Sequence, residues 1–271
     1  MSESQTDDIP SRRPDTGTAH NARVWNYWQG GTDNYEVDRQ VGDQVAGLIP
    51  VIRDIASADR RFLVRAVRHL AEEQGIRQFL DIGTGLPALE NTHEIAQRVA
   101  PASRIVYVDN DPLVLEYART RLTGTDEGAA VYLDADAHDP DTILRNAGRT
   151  LDFTQPVALM LLGILNFVLD DTEAQAITRR LLEPLAPGSF LVLTHPTTEP
   201  ELGGELQLEA MEFWNAHAEP PVTARGAEDV GRYFDGLTLL EPGLVSCSLW
   251  RPDPGDEPTV VPQLGAVARK P

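Results

Sequence analysis

The stretch FLDIGTGLP at residues 79–87 is the feature that most constrains how this chain can fold. Its apolar side chains surround one acid, Asp81, and predict a short buried strand. Gly83 and Gly85 follow at once, and glycines allow a sharp turn and the close approach of a ligand to the backbone. A helix is predicted from about residue 90. Strand, turn and helix together predict a cradle for a nucleotide or a related cofactor.

Strands and helices alternate downstream of this stretch. Five strands are predicted, each followed by one helix, at residues 78–82, 105–108, 130–133, 157–162 and 188–194. Single helices between strands produce right-handed crossovers and a parallel sheet. Two further strands, at 244–250 and 263–269, have no helix between them and should pair antiparallel. The expected fold is α/β: a doubly wound, mostly parallel seven-stranded sheet with an antiparallel last strand.

The chain upstream of the alternation is predicted to be helical. Residues 1–17 are polar and predict a disordered tail. Residues 18–75 contain amphipathic helical patterns interrupted by a Gly-Gly pair and a proline, and predict a helical N-terminal cover over an α/β domain at 76–271. Residues 59–61 are expected on a solvent-exposed helix face, from which Arg60 could reach the site.

Composition excludes several classes of partner. The chain has 271 residues, with 23 Lys and Arg against 42 Asp and Glu, a formal net charge of −19. Nucleic-acid phosphates and anionic membrane surfaces both require clustered cationic side chains, so neither is an expected partner. The single cysteine, Cys247, excludes an intrachain disulfide and a multi-cysteine metal site, and no metal is expected.

The sequence also carries no targeting segment that we can identify. The N-terminus is polar and acidic, unlike a signal peptide. The longest nearly apolar run, residues 156–169, is shorter than the roughly 18–20 residues that span a bilayer. A cytoplasmic protein is therefore expected, and the oligomeric state cannot be predicted.

Acidic and small residues follow the predicted strands at the edge where a doubly wound sheet binds ligands. Strand by strand, they are Asp81, Gly83, Thr84 and Gly85, then Asp109 and Asn110, then Asp136 and Ala137, and finally Leu162 and Gly163. No lysine or arginine occurs at these strand ends. This edge is therefore suited to a ligand that carries positive charge.

Two cofactors compete for the predicted site. Residues 83–88 match the pattern G-x-G-x-x-A, and Asp109 lies roughly 20 residues further on, as in NAD-binding units. However, Pro87 has no N–H to offer a pyrophosphate, and Asp81 would repel one. S-adenosylmethionine has no phosphate and carries an ammonium and a sulfonium, which a carboxylate at position 81 would attract. Asp109 suits the ribose hydroxyls of either cofactor.

The order of these motifs resembles that of class I, Rossmann-like methyltransferases that use S-adenosylmethionine. More narrowly, the chain resembles a bacterial family of methyltransferases with little assigned chemistry, in the blocks RVWNYWQGGTDNY (23–35), FLDIGTGLP (79–87) and YVDNDP (107–112). The resemblance extends roughly from residue 19 to residue 271. It implies an S-adenosylmethionine-dependent methyltransferase whose Rossmann-like domain, residues 76–271, binds the cofactor.

The resemblance also implies roles for single residues. By position, Asp81, Gly83 and Gly85 would contact the methionine moiety, Asp109 the ribose and Asp136 the adenine. These are the positions at which the family's motif matches this sequence.

This chain departs from the wider class at two positions. Pro87 stands where a third glycine is usual, and Asn166 stands where many relatives have a histidine after the fourth strand. No catalytic residue is therefore assigned. A protein that binds S-adenosylmethionine without catalysis, as a sensor or scaffold, is an alternative, as is an NAD-dependent oxidoreductase.

Aromatic residues concentrate in the N-terminal block. Four lie within residues 25–35, although aromatic residues make up only 6% of the chain. We expect this block to cover the cofactor and to form a pocket for a small-molecule methyl acceptor, because methyl transfer mainly requires positioning and a dry cavity. Packing in the core is the alternative for these rings, as a structural role is for His195. The candidate acceptor contacts are Tyr27, Asn34, Tyr35, Asn166 and His195.

Overall fold

The computed structural model describes residues 15–87, 90–121 and 124–271. Most of the tail predicted over residues 1–17 therefore lies outside the described residues. The same is true of Ala88, the last residue of the G-x-G-x-x-A pattern.

The N-terminal part consists of a two-residue strand and three helices: β1 (Ala19–His20), α1 (Asn21–Trp28), α2 (Glu36–Leu48) and α3 (Ile52–Glu72). Gly30, at a φ of +82°, follows α1 and turns the chain back. The longest helix, α3, buries Ile55, Phe62 and Leu70, whose spacing places them on one face.

Strands and helices then alternate, as β2 (Gln78–Ile82), α4 (Thr92–Val99), β3 (Arg104–Asp109), α5 (Pro112–Arg121), β4 (Ala129–Asp134), α6 (Pro140–Ala147), β5 (Ala158–Leu162), α7 (Asp171–Leu182) and β6 (Phe190–Pro196). The C-terminal part comprises α8 (Glu205–His217), β7 (Ala218–Glu219), α9 (Ala227–Gly231), β8 (Thr238–Leu239), β9 (Val245–Ser246) and β10 (Gln263–Arg269). Among the described residues, none of these helices has the length and apolarity required to span a membrane.

One sheet organises the molecule. Its strand order is β4-β3-β2-β5-β6-β10-β8, and β9 also pairs with β10. Strands β2 to β6 are parallel, whereas β10 runs antiparallel to β6, β8 and β9. The predicted α/β fold with an antiparallel last strand is therefore confirmed, with eight strands in the described part of the chain instead of seven.

The strand predicted over residues 244–250 is much shorter than expected. Only Val245–Ser246 pairs with β10, and a 3-10 turn follows over Cys247–Leu249. The guanidinium of Arg65 on α3 donates hydrogen bonds to the Cys247 and Trp250 carbonyls, at 2.8 and 2.9 Å. Because these carbonyls bond to a helix side chain, they are not available to a strand ladder.

The two faces of the sheet pack against different helices. Phe79 and Ile105 belong to the core shared with α1 to α4, and their neighbours Leu80 and Val106 belong to the core shared with α6 and α7. This alternation follows from the period of two in a strand. The N-terminal helices therefore lie on one face of the sheet.

A buried ion pair holds the N-terminal helices together. Arg23 on α1 donates from Nε to both carboxylate oxygens of Asp38 on α2, at 3.1 and 2.9 Å. Asp38 also accepts the backbone N–H groups of His20 and Tyr35, at 3.0 and 2.8 Å. Both charged side chains are buried, and the guanidinium has further carbonyl partners in the preceding segment. A buried pair with all its hydrogen bonds made depends on both partners being present.

Candidate functional site

A cavity of about 290 Å³ lies between the carboxyl ends of the parallel strands and the helices α1, α2, α3 and α8. Its sheet side includes all ten residues predicted from the sequence for the cofactor, namely Asp81, Gly83, Thr84, Gly85, Asp109, Asn110, Asp136, Ala137, Leu162 and Gly163. The fold brings them together because parallel strands end at the same edge.

The glycine turn leaves its backbone open to the cavity. Gly83, Gly85 and Gly163 have φ values of +75°, +66° and +59°, which residues with a side chain rarely adopt. A Cβ added at Gly85 would have no protein atom within 4 Å, whereas one at Gly83 would lie 2.5 Å from Cδ1 of Ile164. Gly85 thus leaves room for a ligand, and Gly83 leaves room for the side chain of Ile164.

Asp81 is a buried carboxylate at the centre of this edge. Its Oδ2 accepts a hydrogen bond from the Thr92 hydroxyl at 2.8 Å. Burial raises the pKa of Asp81 to about 6, an effect that Thr92 and the charge of Arg60 oppose and the charge of Asp109 reinforces. A buried carboxylate that is costly to ionise is stabilised more by a cationic partner than an exposed carboxylate is.

Asp109 is positioned to accept further hydrogen bonds. Its Oδ2 accepts the N–H of Gly85 at 2.8 Å, and its Oδ1 accepts the N–H of Asp111 at 2.9 Å. Burial raises its pKa. Each carboxylate oxygen keeps a second lone pair, so the group could receive hydroxyl donors from the cavity. Asp136, on the neighbouring strand end, accepts from the Asn110 amide at 3.2 Å.

The helical side of the cavity is mostly apolar. It is formed by Trp25, Trp28, Val45, Ile49, Ile52, Ile55, Leu63, Ala210, Met211 and Trp214. The rings of Trp28 and Trp214 lie 6.3 Å apart and connect α1 to α8. The aromatic N-terminal block thus contributes tryptophans to the wall.

Two of the predicted acceptor contacts lie elsewhere. Tyr27 is not part of the wall: its hydroxyl donates to Asp43 at 2.7 Å, and the Arg53 guanidinium lies 5.2 Å from its ring centroid. Two residues along a helix correspond to a rotation of roughly 200°, so Tyr27 points away from the face that carries Trp25. Asn34 is also absent from the lining, and its amide donates at 3.1 Å to Oδ1 of Asn26, a residue that does line the cavity.

Tyr35 and His195 also lie away from the wall, and Asn166 lies on it. Tyr35 caps α2, and the Arg23 guanidinium is 5.0 Å from its ring centroid. His195 is fully buried behind the wall, with its Nε2 2.9 Å from the Arg225 guanidinium. Burial lowers the pKa of His195 to about 3, so the ring is neutral and accepts from Arg225. Tyr35 and His195 therefore lie outside the cavity lining, and Asn166 is the predicted acceptor contact that the structure places in the cavity.

Sequence reasoning missed three polar side chains in the wall: Asp59, Gln207 and Gln263. Asp59, expected on a solvent-exposed face, is only 7% exposed and accepts from the Gln263 amide at 3.3 Å. The helical spacing could have predicted this burial, because Asp59 lies at i+4 from Ile55 and three residues before Phe62, on the buried face of α3. Arg60 lines the cavity as its position allowed, and it also contacts Asn91 at 3.3 Å.

The charges of the wall suit a cation better than a diphosphate. The described lining contains four aspartates and one arginine. Within the described ranges, no group of three or more His, Cys, Asp or Glu side chains is arranged to hold a metal ion. The carboxylates at this edge are therefore suited to a positively charged organic molecule.

Comparison with known proteins gives the family. The model of a family described as S-adenosyl methyltransferase matches residues 7–271. The chain belongs to this family. The predicted enzyme class, methyltransferase, and the predicted cofactor, S-adenosylmethionine, are thereby confirmed, and the family gives no support to an NAD-dependent oxidoreductase.

Solved structures agree with this family and fold. A DUF574 family protein from Streptomyces avermitilis is 44% identical, with a TM-score of 0.90, over 96% of this chain and 100% of its own. A protein from Thermobifida fusca with a provisional methyltransferase assignment is 38% identical, with a TM-score of 0.87, over 94% and 96%. Human N-acetylserotonin methyltransferase, solved with S-adenosylmethionine, is 13% identical, with a TM-score of 0.50, over 86% and 57%, and shows the fold alone. No curated protein matches the chain.

Proposed function

We propose that this methyltransferase transfers the methyl group of S-adenosylmethionine to a small molecule bound between the sheet edge and the N-terminal helices. One observation carries the proposal: the cavity that contains the ten predicted cofactor residues continues into an apolar, aromatic wall. One cavity can thus hold donor and acceptor side by side and keep both from water, which is the main demand of this chemistry.

The roles at the sheet edge follow from charge and hydrogen bonding. Asp81 would hold the ammonium of the methionine moiety, and the open backbone at Gly85 would let that moiety approach. Asp109 would accept from the ribose hydroxyls, and Asp136 from the adenine amino group. When bound, the cofactor supplies an electrophilic methyl group. The chain's own residues bind it, orient it and exclude water.

The two parts of the chain would divide this work. We infer that residues 18–75 act as the cover that closes the cavity and that residues 76–271 act as the cofactor-binding domain. The single cysteine, Cys247, is buried, and a chain without a disulfide suits a reducing cytoplasm.

Calorimetric titration tests the cofactor half of the proposal. S-adenosylmethionine and S-adenosylhomocysteine should bind, and NAD should not. Tight binding of NAD without binding of S-adenosylmethionine would overturn the assignment of the cavity.

Turnover tests the acceptor half. Release of S-adenosylhomocysteine with members of a small-molecule acceptor library supports an enzyme acting on a small molecule. Cofactor binding without turnover on any acceptor would support the alternative of a sensor or scaffold.

A further inference from the structure

We propose that Asp59, Asn166 and Gln263 form the acceptor subsite of this cavity. The subsite takes an apolar molecule whose nucleophilic nitrogen or oxygen carries a proton, and Asp59 removes that proton. This inference rests on the proposed methyl transfer and adds to it the chemical class of the acceptor and the residue that serves as the base.

The three side chains come from distant parts of the chain and meet beside the cofactor turn. Asp59 belongs to α3, Asn166 follows β5, and Gln263 begins β10. The Gln263 amide donates to Asp59 Oδ1 at 3.3 Å. A Cβ added at Gly163 would lie 4.0 Å from both Asn166 Oδ1 and Gln263 Nε2. Because Gly163 is at the sheet edge assigned to the cofactor, this cluster adjoins the position of the methyl donor.

The Asn166 side chain lacks a hydrogen-bond partner that a ligand could supply. Its side chain is 7% exposed, and its Oδ1 has no hydrogen-bond partner among the described residues. A buried carbonyl oxygen that is left unpaired destabilises the folded protein. The oxygen is an acceptor, so the missing partner is a hydrogen-bond donor. A ligand N–H or O–H group meets this requirement, and a carboxylate does not.

Asp59 adds a second acceptor with the properties of a base. Burial raises the pKa of Asp59, and Thr194, Gln263 and Arg60 only partly oppose this shift. A carboxylate that is costly to ionise takes up a proton more readily than an exposed one. Its negative charge also favours a neutral or cationic ligand over an anionic one.

The surrounding wall determines the rest of the ligand. Ile55 and Leu63 flank Asp59 on α3, and Trp28 and Trp214 face the cavity from α1 and α8. Burying an apolar ring system against these side chains contributes about 25 cal/mol per Å². The occupant is therefore a mostly apolar molecule with one donor group directed at the polar cluster.

The proposed step balances in atoms and charge. The acceptor nitrogen or oxygen forms a bond to the methyl carbon. The bond between that carbon and sulfur breaks, and its electron pair stays on sulfur, which becomes a neutral thioether. The acceptor proton moves to a carboxylate oxygen of Asp59. Asp59 releases this proton to water after the products leave.

Binding of matched indole probes tests the proposal without turnover. The probes are tryptamine, tryptophol and indole-3-acetate, which share a ring system and differ in an amine, a hydroxyl and a carboxylate. They are titrated by NMR into the full-length protein saturated with S-adenosylhomocysteine. We expect tryptamine or tryptophol to bind roughly tenfold tighter than indole-3-acetate, or more, because the amine and the hydroxyl can donate to Asp59 or Asn166, whereas Asp59 repels the carboxylate. The preferred probe shows whether the cluster selects a cationic or a neutral donor group.

Variants identify the side chains responsible for the preference among the probes. Asp59→Asn should remove the preference, and Glu72→Gln, an exposed change on the same helix, should retain it. Asn166→Leu provides a second variant if Asp59→Asn does not fold. It removes an unpaired buried oxygen, so it should keep or raise the melting temperature while weakening the preferred probe roughly tenfold. Affinity for S-adenosylhomocysteine should change by less than about twofold in all three variants.

The outcomes separate this inference from the proposed function. If wild-type protein does not bind S-adenosylhomocysteine, the proposed function fails. If it binds S-adenosylhomocysteine but prefers indole-3-acetate, binds neither tryptamine nor tryptophol, or keeps its preference in Asp59→Asn and Asn166→Leu, only the acceptor subsite is wrong.

Discussion

The two halves of the cavity are built in different ways. The half that we propose to hold the cofactor, the cofactor half, comes from consecutive strand ends between Asp81 and Gly163, and it depends on backbone conformation at glycines and on carboxylates that follow strands. The half that we propose to hold the methyl acceptor, the acceptor half, combines side chains from helices and a strand that extend from α1 to Gln263. The first half is therefore a local property of the α/β unit, and the second exists only when distant elements have packed.

Each half contains a buried aspartate, and the partners of the two differ. Asp81 accepts from the Thr92 hydroxyl, and Asp59 accepts from the Gln263 amide. Burial raises the pKa of both carboxyls. Both halves thus place a carboxylate where its ionisation is costly, one to hold the donor and the other, in our proposal, to act on the acceptor.

The largest expected effect comes from removing the ion pair that holds the acceptor half in place. Arg23→Leu leaves Asp38 buried and unpaired, and it should lower the free energy of unfolding by about 3–5 kcal/mol. Urea denaturation measures this change. Arg39→Leu, which breaks an exposed pair with Glu36, should cost less than about 1 kcal/mol. Equal losses in the two variants would contradict the prediction.

Hydrogen exchange of Arg23→Leu tests whether the two halves of the cavity unfold separately. In Arg23→Leu, amides of α1 and α2 should lose protection before those of β2 and β3, because the ion pair joins only the N-terminal helices. Simultaneous loss throughout the chain would show that the two halves unfold as one unit.

Asp81→Asn should stabilise the cofactor-free protein. The folded-state pKa, about 6, lies above the ordinary 3.8, so the folded state binds more protons between these values. Stability from this group is therefore lost as the pH rises through that window and stays low above it. Removing the charge should raise the free energy of unfolding by up to about 3 kcal/mol near neutral pH, and should weaken cofactor binding.

Thermal melts at about pH 4 and at about pH 7 measure this effect. The gain from Asp81→Asn should appear at the higher pH and shrink at the lower one. A variant that is less stable at both values would show that the Asp81 carboxylate supports the fold instead of weakening it.

Asp109→Ala should weaken S-adenosylhomocysteine binding by about 1–3 kcal/mol, because it removes acceptors for the ribose hydroxyls. Calorimetric titration measures the change. Asp134→Ala is the matched control, since Asp134 ends the adjacent strand but is exposed and outside the cavity lining. Unchanged affinity in Asp109→Ala would exclude Asp109 from the site.

The smallest effect is expected at Tyr27. Its hydroxyl contacts Asp43 and Arg53 on the outer side of α1, so Tyr27→Phe should change stability by less than about 1 kcal/mol. Cofactor affinity and turnover should not change. A loss of turnover would restore Tyr27 as an acceptor contact and contradict the placement of α1.

The residues that meet at the cofactor half could be listed from the sequence because their determinants are local. Gly83, Gly85 and Asp109 can be located from a strand pattern and the residues that follow it. The sheet was predictable for the same reason, apart from the segment at 244–250, whose carbonyls bond to Arg65 on a helix that no local pattern connects to it.

The lining of the acceptor half was harder to predict because its determinants are not local. Within the aromatic block, Trp25 and Trp28 line the cavity, whereas Tyr27 and Tyr35 do not. Asp59 illustrates the limit: the helical spacing places it on the buried face of α3, but its partner Gln263 lies too far along the chain for a local pattern to connect the two.

The position of Gln263 at the start of β10 has a consequence for the timing of synthesis. All the other described strands of the sheet leave the ribosome before β10, so the Asp59 carboxylate has no Gln263 partner until β10 has been synthesised. We expect a nascent chain to acquire its nucleotide-binding edge early and its reactive surface last, so that a stalled polypeptide would sequester the methyl donor without consuming it.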